Sequence, residues 1–182
     1  MRTLSTARLT LREPAMTDVE LLRDYHRRNG ERLARFDAVP PDEEAVHREW
    51  IGMHHRWRYE GQPVGFLAFD STIEALAGFV ALSGFTFEGP SAMINYSVDG
   101  AYEGKGYAFE MTAAVLAYGF AELHLASVSA HVLVGNERSL RLLERLGFTV
   151  VARSPIVPGF EHLMRPHVLA TVDPVRFAAA QQ

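Results

Sequence analysis

The sequence contains no cysteine among its 182 residues. This absence excludes disulfides, a thiolate nucleophile and thiolate metal ligands from any mechanism. A long apolar run is also missing. The best candidate, residues 108–120, is interrupted by Glu110, Thr112 and Gly119 and is shorter than the ~20 residues that a membrane helix needs. We therefore expect no membrane partner.

The N-terminal segment lacks the apolar centre of a secretion signal and carries Arg2 and Arg8, so we expect a cytoplasmic protein. Basic charge is not in excess either: 18 Lys and Arg stand against 22 Asp and Glu, a formal net charge of −4 at pH 7. This balance argues against direct nucleic-acid binding. The length and composition predict a single domain over residues 1–182, with 175–182 as a peripheral tail. The oligomeric state stays open, a homodimer included.

The spacing of apolar residues predicts about seven strands and about four helices. Thr17 and Asp18 mark the start of the first helix, and Pro40 marks the start of the second. Gly147 is placed to end the last helix, because glycine tolerates the positive φ found there. The predicted strands are 8–12, 64–69, 77–87, 92–98, 127–134, 148–152 and 163–172, and the predicted helices are 17–30, 40–58, 107–123 and 136–146.

The order of these elements indicates the fold class. Neighbouring strands joined by short turns favour antiparallel pairing, and the late strand–helix–strand unit indicates a parallel pair. The sequence therefore predicts an α/β protein with one mixed, mostly antiparallel central sheet and helices on both of its faces.

A short loop, Gly104-Lys105-Gly106, lies between a predicted strand and a long predicted helix. The N–H groups at a helix N-terminus favour an anion, and glycine lets a phosphate approach them closely. Lys105 either adds positive charge there or points into water. A tight turn without a ligand is the plain alternative. A dinucleotide-binding fingerprint would need its third glycine at Phe109, and no Gly-Lys-Ser or Gly-Lys-Thr occurs for a Walker-type loop.

A second motif follows the predicted strand 127–134. Asn136 begins a helix, where it either caps the backbone or offers its amide to a ligand. Ser139 lies about one turn further along and faces the same side of that helix. Each motif alone has a purely structural interpretation, but the two together are far more specific.

Together the motifs resemble the GNAT acyltransferase superfamily, whose coenzyme A loop reads Gln/Arg-x-x-Gly-x-Gly/Ala. The Asn-x-x-Ser followed by Gly147-Phe148 is similar to the branch that acetylates the N-terminal alanine of ribosomal proteins. Residues 6–12 and 25–29 are similar to the usual start of that branch. Ala101 departs from the family, because it stands where the loop has Gln or Arg.

The resemblance implies a GNAT-like fold that uses acetyl-CoA as co-substrate and no metal. The diphosphate would lie on the loop amides, and the pantetheine arm would run beside the preceding strand. The implied cofactor-binding residues are Tyr96, Ser97, Val98, Glu103, Gly104, Lys105, Gly106, Tyr107, Ala108, Asn136 and Ser139.

The resemblance also implies direct attack of an amine on the thioester, so no nucleophilic side chain is needed. The backbone N–H of Val98 would stabilise the oxyanion. Many relatives protonate the leaving thiolate with a tyrosine where this chain has Leu143. Similarity to the ribosomal branch implies Ser139 as the catalytic candidate instead, with a role only in holding the sulfur as the alternative. Glu88 is the first candidate for the base, with a solvated turn glutamate as the alternative.

The expected acceptor is the N-terminal α-amine of a protein such as a ribosomal protein. A small-molecule amine (an antibiotic, a polyamine or an amino acid) is the alternative, and a non-catalytic coenzyme A-binding protein is another. Histidine pairs do not indicate a metal, because His54 and His55, like His162 and His167, are spaced to point apart.

Overall fold

The computed structural model describes residues 2–36, 39–56, 64–86, 90–154 and 166–182, without the side chains of 54–56 and 154. Its strands are β1 (Thr3–Ser5), β2 (Leu9–Arg12), β3 (Val64–Asp70), β4 (Leu76–Thr86), β5 (Ser91–Val98), β6 (Ser127–Leu133), β7 (Thr149–Ser154) and β8 (His167–Val172). Its α-helices are α1 (Val19–Leu33), α2 (Glu44–Arg56), α3 (Tyr107–Ala121), α4 (Glu137–Arg145) and α5 (Pro174–Ala180). In these ranges no helix combines the length and the apolar character that a bilayer crossing requires.

The strands form one sheet in the order β1-β2-β3-β4-β5-β6-β8-β7. The predicted fold class, a mixed and mostly antiparallel sheet with helices, is confirmed. The described residues add two elements to the predicted set, the short edge strand β1 and the C-terminal helix α5. In addition, α1 runs through Gly30, where the first helix was predicted to end, and stops at Leu33.

The chain divides into two compact units, and the first comprises Met1–Ser83 and Asn95–Val115. Its strands β1 to β4 pair antiparallel, each with the next along the chain. The helices α1 and α2 belong to this unit, and they bury apolar side chains in a cluster with β3 and β4. That cluster contains Val19, Leu22, Tyr25, Ile51, Leu67 and Leu76. Burial of these side chains is the main term that holds the helices in place.

The second unit comprises Gly84–Ile94 and Leu116–Gln182. Here β5 pairs parallel with β6, the two strands that α3 connects. The late unit β6–α4–β7 does not form a hydrogen-bonded parallel pair, because β8 lies between β6 and β7 and pairs antiparallel with both. The parallel pair therefore occurs one strand–helix–strand unit earlier in the chain.

The C-terminal segment folds as α5 in the second unit. Asp173 accepts a hydrogen bond from the Arg176 N–H at 2.9 Å and caps the helix. Phe177 is buried, with its ring centroid 5.6 Å from that of Phe120. Val175, by contrast, is 79% exposed. One face of the segment therefore packs and the other faces solvent.

Candidate functional site

The loop before α3 has the backbone geometry that its glycines suggested. Gly104 has φ +71° and Gly106 has φ +83°, both in the region that side chains disfavour. The Glu110 N–H donates to the Gly106 carbonyl at 3.1 Å, so the helical hydrogen bonds begin at Gly106. The N–H groups of the first helical turn therefore have no acceptor within the helix itself. Together with the helix dipole, they make this end of α3 attractive to an anion.

The space around Gly104 is open, and the space around Gly106 is bordered by Arg8. A Cβ added at Gly104 would meet no atom within 4 Å, and one at Gly106 would lie 3.4 Å from Nη2 of Arg8. Gly104, Lys105 and Gly106 are all exposed. A ligand can therefore reach the backbone of the loop directly.

Arg8, on the N-terminal side of β2, borders this loop. Its Nη1 donates to the Lys105 carbonyl at 2.9 Å, and its Nε donates to the carboxylate of Glu110 at 2.7 Å. The guanidinium also stacks 4.2 Å from the ring centroid of Tyr107. Burial raises the pKa of Glu110, but hydrogen bonds from Thr6 and Arg8 outweigh that effect and hold the pKa below its usual value. Glu110 is therefore ionised at neutral pH and offsets part of the Arg8 charge.

Lys105 bends back over its own loop. Its Nζ donates to the carbonyl of Ala101 at 2.8 Å, while the side chain stays exposed. The ammonium thus stays beside the loop, where it adds positive potential near the start of α3.

A polar stripe on α1 meets the end of β5. Tyr25, Asn29 and Arg32 follow one another at helical spacing and share one face of α1. The hydroxyls of Tyr25 and Ser97 are 2.6 Å apart. Burial raises the pKa of Tyr25 to about 12, so its hydroxyl is protonated at neutral pH.

Asp99 closes the end of β5 and is buried. Its carboxylate accepts hydrogen bonds from Asn29 Nδ2 at 2.9 Å, from Arg28 Nη1 at 2.7 Å and from the Ala101 N–H at 2.9 Å. Burial would raise the pKa of Asp99, but these hydrogen bonds and the Arg28 charge lower it on balance. The ionised carboxylate caps the 3-10 turn Gly100–Tyr102 that leads into the glycine loop.

The backbone of β5 comes very close to β4 at one point. A Cβ at Gly78 would overlap the carbonyl oxygen of Ser97, so only glycine fits there. The parallel pairing of β5 with β6 covers Ser91 to Met93. The rest of β5, which includes the predicted cofactor residues Tyr96, Ser97 and Val98, continues past that register.

The Asn-x-x-Ser motif lies in the second unit at the start of α4. Oδ1 of Asn136 accepts the Ser139 N–H at 3.2 Å, so Asn136 is the N-cap of this helix. Ser139 is partly buried. Glu88, the candidate base, lies outside the described residues.

Two histidines lie together on α1 and α2. His26 Nδ1 is 2.9 Å from His47 Nε2, and His47 Nδ1 is 3.0 Å from the Glu43 carbonyl. Burial and the neighbouring His47 lower the pKa of His26 to about 4, so His26 is neutral at pH 7. Over the described part of the chain, no group of three or more potential metal ligands comes together.

The structure thus gathers the loop residues 103–108 and β5 residues 96–98 in the first unit, while Asn136 and Ser139 belong to the second. Arg8, Asn29 and Arg32 contact the loop and the end of β5, and they were not predicted from the sequence as residues of the candidate site. The available signal was the helical spacing of Tyr25, Asn29 and Arg32, which places three polar groups on one face of α1.

Comparison of the whole sequence with known protein families identifies the family to which the chain belongs. The family model described as an acetyltransferase (GNAT) domain matches residues 8–149. The chain belongs to this family and is an enzyme, an N-acetyltransferase of the acetyl-CoA-dependent kind.

An individual relative indicates which branch of the family the chain resembles. The chain is 28% identical over 173 residues to the [ribosomal protein uS5]-alanine N-acetyltransferase of Escherichia coli (strain K12), covering 93% of this chain and 89% of that one. The resemblance to the ribosomal-protein-alanine branch is confirmed by this match.

Solved structures share the fold. The ribosomal-protein-S5-alanine acetyltransferase from Vibrio fischeri aligns with a TM-score of 0.87 at 18% identity, covering 97% of this chain and 99% of that one. Mycobacterium smegmatis RimJ in complex with CoA-disulfide aligns with a TM-score of 0.81 at 19% identity, covering 95% of this chain and 89% of that one. At least one protein of this fold therefore binds coenzyme A.

Proposed function

We propose that this protein binds acetyl-CoA at the start of α3 and transfers the acetyl group to the N-terminal α-amine of a protein such as a ribosomal protein. One observation carries the donor half of the proposal: two positive-φ glycines expose the first backbone N–H groups of α3 beside Lys105 and Arg8. A diphosphate suits this arrangement, because N–H donors and positive charge converge on exposed backbone. Residues 103–108 would supply those donors.

The thioester end is assigned to β5 and α4. Tyr96, Ser97 and Val98 would pair with the pantetheine arm through their backbone, and the Val98 N–H would stabilise the oxyanion. Asn136 and Ser139 complete the proposed cofactor-binding set, with Ser139 next to the leaving thiolate. These assignments are supported by the family resemblance.

The chemistry of the amine favours an N-terminus over a lysine. An α-amine has a pKa near 7.7–8.0, so about a tenth is neutral at pH 7, whereas a lysine near 10.4 is only about 0.04% neutral. An α-amine therefore needs little help from a base, and Glu88 remains the proposed one. The name of the Escherichia coli relative points to the same class of acceptor. An acceptor of that kind places the enzyme in the cytoplasm, where ribosomes are.

A thiol-release assay with matched peptides tests the acceptor. One peptide begins with alanine and carries an internal lysine, and its control is the same peptide with an acetylated N-terminus. We expect amine-dependent release of free CoA thiol from acetyl-CoA with the first peptide, at least about tenfold faster at pH 7 than with the blocked control. A panel of polyamines, amino acids and aminoglycosides runs in parallel. Faster turnover of the blocked peptide or of a small amine would reverse the assignment.

The role of Ser139 is tested separately. Ser139→Ala is expected to lower kcat about tenfold or more and to weaken the Kd for CoA by a smaller factor, because the hydroxyl would interact more strongly with the developing thiolate than with the bound donor. Ser139→Thr keeps a hydroxyl and serves as the control. Wild-type turnover in Ser139→Ala would assign this serine to the structure of α4 alone.

A further inference from the structure

We propose that Arg32 is a positioning residue for the acetyl donor, tying the end of β5 to the first residue of the diphosphate-binding loop. The inference rests on the proposed function, because the loop is taken to hold the donor's diphosphate. It goes further by assigning a role to a helix residue that would not itself touch the donor.

The guanidinium of Arg32 joins three segments of the first unit. Its Nη2 donates to the Val98 carbonyl at 2.6 Å and to Asn29 Oδ1 at 2.9 Å. Its Nη1 donates to the carboxylate of Glu103 at 2.5 Å. A single planar group therefore connects α1, the last residue of β5 and the residue that begins the loop.

The site of Arg32 is shielded enough for these bonds to matter. The side chain of Arg32 is 30% exposed and that of Glu103 is 27% exposed. Charge-assisted hydrogen bonds in such partly buried places are stronger than those of a surface ion pair.

The positive charge of Arg32 gives this residue a second role, the neutralisation of Glu103. The carboxylate of Glu103 sits at the entrance of a loop that is proposed to receive an anion, so its negative charge, without the opposing charge of Arg32, would repel the donor. Arg32 neutralises this carboxylate and holds it toward α1.

The bonds around Arg32 are part of a shared arrangement. Oδ1 of Asn29, which Arg32 contacts, also accepts the Gly100 N–H at 2.9 Å. The segment from Val98 to Glu103 is therefore held at both ends and in its middle by one face of α1. Lysine cannot reproduce this, because an ammonium on a flexible stem lacks the planar fork that reaches Glu103 and Val98 at once.

The test is calorimetric titration of the full chain with CoA, together with steady-state kinetics. Arg32→Met is expected to raise the Kd for CoA and the KM for acetyl-CoA roughly tenfold, while the KM for the amine and kcat change less than about threefold. Arg32→Lys should fall between wild type and Arg32→Met. The matched control is Arg23→Met, which removes another α1 arginine that bonds to Glu20 and Asp42 and should stay within about twofold of wild type.

A double-mutant cycle with Glu103→Gln separates positioning from general loosening of the fold. In the Glu103→Gln background, Arg32→Met should raise the Kd for CoA at most about threefold, because the negative charge that Arg32 neutralises is absent. The proposal would be overturned if Arg32→Met raised the Kd for CoA by the same factor in both backgrounds. It would also be overturned if the Kd for CoA of Arg32→Met were no higher than that of Arg23→Met. If Arg32→Met does not fold, the cycle is run with Arg32→Lys, for which an unchanged CoA Kd is the overturning result. Absence of CoA binding by the wild type would instead refute the proposed function.

Discussion

The charged side chains beside the start of α3 are largely balanced by partners. Arg8 bonds to Glu110, Arg32 bonds to Glu103, and the Lys105 ammonium bonds to a backbone carbonyl. What remains for an incoming anion is a modest positive potential and a row of backbone N–H groups. For the proposed binding of a diphosphate, the access that Gly104 and Gly106 give to the backbone therefore matters more than any single cation.

A pair of substitutions at Gly106 that match in size and differ in charge tests the proposed anion site. Asn and Asp are nearly equal in size, and both tolerate a positive φ better than most residues, so strain is similar in Gly106→Asn and Gly106→Asp. We expect Gly106→Asp to bind CoA at least about tenfold more weakly than Gly106→Asn at low salt, since a carboxylate would repel the diphosphate. The ratio of the two Kd values should decrease as the salt concentration increases, because salt screens the repulsion.

Titration calorimetry measures the Kd for CoA of both variants, and thermal unfolding checks that both variants are folded. Equal Kd values for Gly106→Asp and Gly106→Asn would remove the loop from the anion site.

Single residues differ in how far the sequence revealed them. Gly104 and Gly106 stood out because they lie directly before a long predicted helix and the Asn-x-x-Ser motif follows them in the chain. Arg8 and Arg32 did not, because an arginine on a strand end or a helix is most often solvated. Only the fold brings Arg32 to Val98 and Arg8 to Lys105, across separations that no local pattern encodes.

Among the elements, α5 shows why a short helix is difficult to predict from the sequence. Asp173 followed by Pro174 is a good helix start, since aspartate caps the helix and proline suits its first turn. The seven-residue segment is too short for its apolar period to be distinct. The three-residue strand β1 was missed for the same reason. Longer elements with clear periods, such as α3 and β4, were predicted to within two residues at each end.

The packing of α5 gives a prediction with a built-in control. Phe177→Ala should lower the free energy of unfolding by about 3 kcal/mol, because it deletes a buried ring that lies against Phe120. Val175→Ala, on the exposed side of the same helix, should change it by less than about 0.5 kcal/mol. Urea denaturation measures both. Similar values for the two variants would contradict the packing described for α5.

For the molecule as a whole, the fold class followed from the sequence, but the position of the parallel pair did not. Strand periods specify which segments are strands, and short turns specify antiparallel neighbours. Nothing local specifies that β8 inserts between β6 and β7, since that choice depends on the pairing of distant edges. The catalytic role of Ser139 likewise stays a prediction from family likeness, and that of Glu88 stays a prediction from its place after the third predicted strand.

The central claim, that backbone N–H groups at the start of α3 hold the donor's diphosphate, is tested most directly by a crystal structure of the protein with CoA. We expect diphosphate oxygens about 3 Å from at least two backbone nitrogens among residues 104–108. A diphosphate held elsewhere, or one bound only by side chains while those nitrogens face away, would contradict it.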